Sequence, residues 1–198
     1  MALDDLAEVA EGQSKTARDR WIAVYIGILA VGLAICALGG NNAAKEATLK
    51  NIEATNTWAF FQAKNMRRQV LRLQVDDLEL QLLGSAGNDA TLRPAIEAKI
   101  QTYKDLDKQL TSDKKSGEGL DELFERGKTL EAERDTAMSR DPYFDLGEAA
   151  LQIAIVVASV AIISGAMFLL AASFGLGLIG ALMTFNGYFL YWELPFGG

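Results

Sequence analysis

Gly175-Leu176-Gly177-Leu178-Ile179-Gly180 matches the dinucleotide-binding fingerprint letter for letter. That chemistry needs the glycines on a turn between a strand and a helix, where backbone N–H groups cradle a pyrophosphate and an acid follows about twenty residues later. Here the segment lies within apolar sequence, and the next acid, Glu193, comes at its far end. The match is read as accidental. A second candidate is the run of carboxylates Asp121, Glu122, Glu125, Glu131, Glu133 and Asp135. Metal sites in helix bundles pair such acids with a Glu-x-x-His motif, and the chain contains no histidine. Interleaved with Arg126, Lys128 and Arg134, the acids read as a solvated helix face. The missing histidine also removes Ser-His and Cys-His nucleophile pairs. Cys36 is the only cysteine, so no internal disulfide forms. No catalytic, cofactor-binding or metal-binding residue is expected, and no enzyme.

Two other groups have the composition of interaction sites. Trp58, Phe60 and Phe61 make the densest aromatic patch outside the apolar runs, suited to anchoring a helical core or a second protein. Lys64, Arg67, Arg68 and Arg72 follow as a basic cluster with no acid among them. The cluster is expected to face acids such as Asp105, Asp107 and Asp113, or else an acidic partner.

Three apolar runs must hold these groups in place. Residues 21–40 form one unbroken stretch, and 151–173 and 174–192 form two more, none containing Asp, Glu, Lys or Arg. A membrane span needs roughly 20 predominantly apolar residues, so an all-α membrane protein with three transmembrane helices is expected. Its segments would be a polar N-terminus at 1–20, a span at 21–40, an extramembrane module at 41–148, spans at 149–173 and 174–192, and a tail at 193–198. In the last two spans, Ala161/Gly165 and Ser173/Gly177/Ala181 are small residues four apart, which let helix backbones approach in lipid. Asn186 is the most polar residue of the third span, and is expected to hydrogen-bond a neighbouring helix. Membrane lipid is thus one partner. The formal charge of −7 argues against nucleic acid, whose phosphates call for Lys and Arg.

The N-terminal segment lacks the positive start of a signal peptide. Leu33-Ala34-Ile35-Cys36 has a lipoprotein look, but Ile35 stands where a small residue belongs, so the first run is kept as a span.

The module between the first two spans reads as helix. Residues 41–83 contain neither proline nor glycine, and two apolar rows recur at steps of three and four: Ala59, Ala63, Met66, Val70, Leu73, and Leu71, Val75, Leu78, Leu82. Nothing at Gly40-Asn41 forces a stop. Gly84-Ser85-Ala86-Gly87-Asn88-Asp89 marks a turn, after which Thr91 resembles an N-cap with Pro94 in the first turn. The return path has one helix over 92–110 with Ile96, Ile100, Tyr103, Leu106 and Leu110 on a face, then a polar, flexible joint at 111–119. A second over 120–140 carries Leu120, Phe124, Gly127, Leu130 and Ala137. Asp141-Pro142 resembles a cap and first-turn proline, restarting a helix into the second span. At about 1.5 Å per residue the outgoing helix climbs roughly 65 Å, and only a return path of similar length closes on the second span. A long, coiled-coil-like antiparallel helical hairpin is expected, with Trp58 or Phe61 packed against Phe124, Leu123 and Leu130.

The run Trp58-Ala59-Phe60-Phe61-Gln62-Ala63-Lys64, preceded by Asn41-Asn42-Ala43-Ala44-Lys45-Glu46-Ala47 and Asn56-Thr57, resembles the signature of a bacterial membrane family catalogued as domain of unknown function 4337. The layout of one span, a helical hairpin and two closely spaced spans is similar, so the resemblance covers nearly the whole chain. It implies a bacterial inner-membrane protein and brings no activity, cofactor or catalytic residue. Lys15, Arg18 and Arg20 before the first span favour a cytoplasmic N-terminus and a periplasmic hairpin, because long loops contribute little to orientation. The function expected is a non-enzymatic scaffold or accessory subunit, joined to other membrane protein subunits or to itself through helix–helix contacts. A sensor-like module with a helical ectodomain and a small transporter or channel subunit are the alternatives.

Overall fold

Leucine, alanine and β-branched residues at steps of three and four have one economical solution, the helix with an apolar stripe. The computed structural model describes residues 2–84 and 90–192, with side chains from Ala17 onward. The turn residues 85–89, the Lys15 side chain and the tail 193–198 lie outside the described residues. Among the described residues all regular structure is helical: α1 (Ala2–Leu83), α2 (Leu92–Thr111), α3 (Leu120–Ser164) and α4 (Met167–Phe189). α1, α3 and α4 each contain a stretch long and apolar enough to cross a membrane.

Helix boundaries depart from the sequence reading in three places. From Ala2 the polar N-terminal segment, the first apolar run and the outgoing arm are one helix, α1, with Gly39-Gly40 inside it. A Cβ on Gly40 would stand 3.2 Å from the Phe144 Cβ, so this pair of glycines makes room for a ring and does not end the helix. Second, Asp141-Pro142 starts nothing: Pro142 lies within α3. The proline removes one backbone donor, and the next two side chains, Tyr143 and Phe144, are buried, which holds the helix on course. Third, the break between the last two apolar helices falls at Gly165-Ala166, ahead of the expected 173/174 boundary. Gly165 has φ +69°, the left-handed conformation that ends helices and favours glycine, and its N–H donates to the Ala161 carbonyl at 3.0 Å. Thr91 does precede α2, but makes no side-chain cap hydrogen bond.

The chain forms two compact units, Met1–Ala47 with Asp135–Gly198, and Thr48–Arg134. In the second, polar unit, one of the two rows of α1 turns inward. Ala54, Thr57, Leu71 and Val75 are buried there with Ile100, Leu110, Leu120, Leu123 and Leu130 from α2 and α3. The other row remains uncovered. The polar joint is a hydrogen-bonded turn where open, flexible chain was expected. Glu122 accepts from Ser112 Oγ at 2.7 Å and from the Asp113 N–H at 3.1 Å, while Asp113 accepts the N–H groups of Lys115 and Ser116. The Ser112 and Asp113 donors hold the Glu122 carboxyl below its usual range.

In the membrane-associated unit, Leu29, Cys36 and Ala43 of α1 pack with Phe144, Leu151 and Ala154 of α3. α4 presents small residues to them: Ser173, Gly177, Gly180, Thr184 and Gly187 are buried. Their steps of four and three trace a single helical face.

Candidate functional site

The aromatic patch is divided by the geometry of α1. Trp58 and Phe61 are half-buried and point to α3, where Phe124 meets both: the Trp58–Phe124 rings are edge-on at 5.6 Å and the Phe61–Phe124 rings tilted at 6.2 Å. Edge-on contact places the positive rim of one ring against the negative face of the other. The Trp58 Nε1–H donates to Glu131 at 2.9 Å, which satisfies the indole's only polar group. Gly127 gives the indole a flat seat, since a Cβ there would lie 2.8–2.9 Å from its ring carbons. Phe60 belongs to the opposite side, 42% exposed, with the Lys64 ammonium 4.8 Å from its ring centre.

The basic cluster is likewise split, and only part of the expected acid set receives it. Arg72 grips Asp107 with two hydrogen bonds, 2.9 and 3.2 Å. This fork holds the Asp107 carboxyl below the usual aspartate range, chiefly through the hydrogen bond from Arg72 and against partial desolvation. Lys64 donates to the backbone carbonyl of Glu118 and lies 3.5 Å from its carboxylate. Arg68 reaches Asn65 and Thr111. Asp105 and Asp113 take other partners: Asp105 bonds Gln101 and Lys108 along its own helix, and Asp113 caps its turn. Arg67 is exposed and takes part in none of these pairs.

In the membrane-associated unit, Ala161, Ser173, Gly177 and Asn186 are buried as small or polar packing residues, but Gly165 and Ala181 are exposed. Gly165 serves the turn. The face that packs is Ser173/Gly177/Gly180/Thr184/Gly187, and the strict four-residue step that singled out Ala181 drifts off it. Gly180 is the tightest of these points. A Cβ there would lie 2.6 Å from the Leu151 Cγ and 3.0 Å from the Gly147 carbonyl oxygen. Ser173 Oγ donates to the Ala154 carbonyl at 2.7 Å and shares a 3.2 Å hydrogen bond with the Tyr25 hydroxyl, so one residue joins all three helices.

Asn186 corrects its expectation: the partner is backbone just beyond its own helix. Its amide donates to the Trp192 carbonyl at 2.8 Å and accepts the Trp192 N–H at 3.1 Å. The same carbonyl accepts the Tyr143 hydroxyl of α3 at 3.0 Å. The fold-back follows Leu190, whose φ is 51°. A buried primary amide that bonds a backbone amide on both its edges pins the chain after α4.

Among the described residues, no cluster of three or more Cys, Asp or Glu is placed to hold a metal ion. What the arrangement offers chemically is contact: a half-buried aromatic anchor, peripheral ion pairs, close-packed apolar helices and one uncovered apolar row.

The family described as Domain of unknown function (DUF4337) matches residues 18–190, and the chain belongs to it. The curated proteins and the solved structures compared with the chain give no match.

Proposed function

We propose that this DUF4337 chain is a scaffold or accessory subunit of a membrane protein complex in the bacterial inner membrane, acting through helix–helix contacts and not as an enzyme. One observation carries the reading. α1 runs without interruption from an apolar stretch fit to cross a membrane into the polar unit, where α2 and α3 cover only one of its two apolar rows. A helix built in this way both anchors the chain and displays a recognition surface.

The pairing within the polar unit supports an antiparallel hairpin as the form of that display. As residue numbers rise along α1 their partners' numbers fall: Lys50 with Glu133, Trp58 with Phe124, Lys64 with Glu118, Arg72 with Asp107, Glu79 with Lys104. Contacts of this kind tie the two arms together at five points, from Lys50 to Glu79. That favours a static display over the sensor reading.

The N-terminus lies in the cytoplasm and the polar unit in the periplasm, as the charges flanking the first span favour. A cysteine at Ser116, in the exposed part of the turn, then reacts with a membrane-impermeant maleimide in intact spheroplasts of a Cys36→Ser strain. Labelling only after lysis reverses the orientation. Purification in mild detergent tests the function itself: fixed stoichiometry with itself or another membrane protein supports the scaffold. A histidine kinase or receptor as the constant companion replaces it with the sensor reading.

A further inference from the structure

The uncovered row of α1 has a spacing that the hairpin does not use. Leu49, Ile52, Met66, Val70 and Leu73 are between 50% and 69% exposed, and Ala59 and Ala63 are exposed with them. Together with Asn56 they alternate steps of three and four from 49 to 73, which is the a/d seam of a coiled coil. Leu49, Asn56, Ala63 and Val70 occupy a positions; Ile52, Ala59, Met66 and Leu73 occupy d. The buried row at Ala54, Thr57, Leu71 and Val75 lies on another face of the same helix. None of these eight positions carries a charge, and a contiguous exposed apolar stripe of this kind marks an interaction surface.

We propose that a second copy of this chain covers the seam, as a parallel two-stranded coiled coil over residues 49–73; this choice of partner rests on the scaffold reading above. Two copies inserted the same way run in the same direction, so a meets a and d meets d about a two-fold axis. Asn56 then faces Asn56. A single asparagine at an a position pairs with itself, fixing register and limiting the assembly to two strands. Against an apolar residue of a foreign helix its amide would lose its partners, at a cost of a buried unsatisfied group.

The flanking positions agree. Parallel pairing sets each g residue beside the following e residue of the other copy: Thr55 by Phe60, Gln62 by Arg67, Gln69 by Gln74, Asp76 by Gln81. No like charges meet, and the guanidinium of Arg67, outside the ion pairs among the described residues, gains an amide. The next a position is Asp77, where two carboxylates would stand face to face, and this sets the upper end of the seam. Five large apolar side chains, each at least half exposed, supply apolar surface of the kind that stable complexes bury, about 800 Å² per partner. A shared membrane raises the effective concentration further.

The test uses full-length protein in native membranes, with Cys36→Ser removing the natural thiol. Single cysteines replace Leu49 and Val70, at the two ends of the seam, and Glu125 on the exposed side of α3 as the control. Mild oxidation is expected to give a dimer of twice the chain mass at both seam positions, at least 10-fold above Glu125→Cys. An antiparallel pairing would not link both ends to themselves, and random encounters would link Glu125→Cys equally. Met66→Glu, on a surface position that leaves the monomer's helicity unchanged, is expected to turn the detergent-solubilised dimer into monomer in light scattering. Asn56→Leu is expected to shift it to higher oligomers. Cross-linking no greater than the control, or equal at all three positions, overturns the proposal. A monomer that carries a foreign membrane protein at fixed stoichiometry, lost with Met66→Glu, overturns self-pairing and leaves the scaffold standing. A monomer with no companion overturns both.

Discussion

The polar unit and the membrane-associated unit use the same helical spacing with opposite side-chain sizes. In the polar unit the inward row of α1 includes the bulky Leu71, Val75, Trp58 and Phe61 beside Ala54 and Thr57, and its rim is tied by ion pairs. In the other, α4 packs on Ser173, Gly177, Gly180, Thr184 and Gly187, and side chains such as Ser173, Asn186 and Tyr188 hydrogen-bond to backbone. The difference follows from the solvent. In water, apolar area removed from solvent stabilises by about 25 cal/mol per Å², so bulk is the efficient choice. In lipid that driving force between helices is absent, and association depends on close approach and satisfied polar groups. On α4 the contact is made by small residues, and the bulk they receive comes from Leu29, Phe144 and Leu151 of α1 and α3.

Gly180→Leu separates the two rules most sharply. Four added carbons would have to enter space already filled by Leu151 and the Gly147 carbonyl. Overpacking typically costs about 1–3 kcal/mol, and with backbone as the obstacle the expected loss is about 3 kcal/mol or more. The readouts are thermal stability in detergent and recovery of folded protein. Ala181→Leu, one residue on and exposed, is expected to change neither. Equal effects at 180 and 181 would mean that α4 packs on the stricter four-residue stripe.

Trp58→Ala comes next. Full truncation of a buried Trp or Phe costs about 3–5 kcal/mol, and Trp58 is half-buried, so a loss of about 2–3 kcal/mol is expected, with faster proteolysis. Trp58→Phe keeps the edge-on contact with Phe124 but removes the hydrogen bond to Glu131, for a loss of about 1 kcal/mol. If Trp58→Ala leaves stability intact and removes a companion protein, the aromatic patch is a binding hot spot, and the polar unit does not depend on it.

How legible each unit was in the sequence follows the same division. The polar unit's core could be foreseen because bulk and position coincide there: the pairing of Trp58 and Phe61 with Phe124 follows from periodicity and chain length alone. Which of the two apolar rows faces inward could not be foreseen, because both have the same spacing and neither is interrupted by charge below Asp76. The close-packed face of α4 was half visible. Ser173 and Gly177 lie on it, but Gly180 rather than Ala181 continues it, since a helical face needs alternating steps of three and four. Gly165 looked like one more small packing residue because Ser164-Gly165 is a short turn signal inside a long apolar run; its positive φ and the Ala166 N–H donating to Ser164 Oγ at 3.3 Å reveal the turn. The role of Asn186 depends on chain folding back after Leu190, which no local pattern signals.

Ion pairs at the rim of the polar unit contrast with its core in strength as well as position. Arg72 and Asp107 are joined by a two-pronged contact, yet the Arg72 side chain is 56% exposed. Exposed pairs contribute little and are screened by salt, so Arg72→Ala is expected to lower stability only slightly, and by less still in 1 M salt. Its pH dependence has a definite direction. The Asp107 carboxyl has a lower pKa folded than unfolded, because Arg72 donates to its charged form. Its contribution is therefore present above the ordinary aspartate value of about 3.9 and is lost as pH falls through the lower folded value. Thermal unfolding between neutral pH and pH 3 should show a shallower acid loss for Asp107→Asn than for the native chain, with Arg72→Ala following the same shallower curve. Steeper loss in either variant would mean that the fork is a consequence of helix packing and contributes nothing to it.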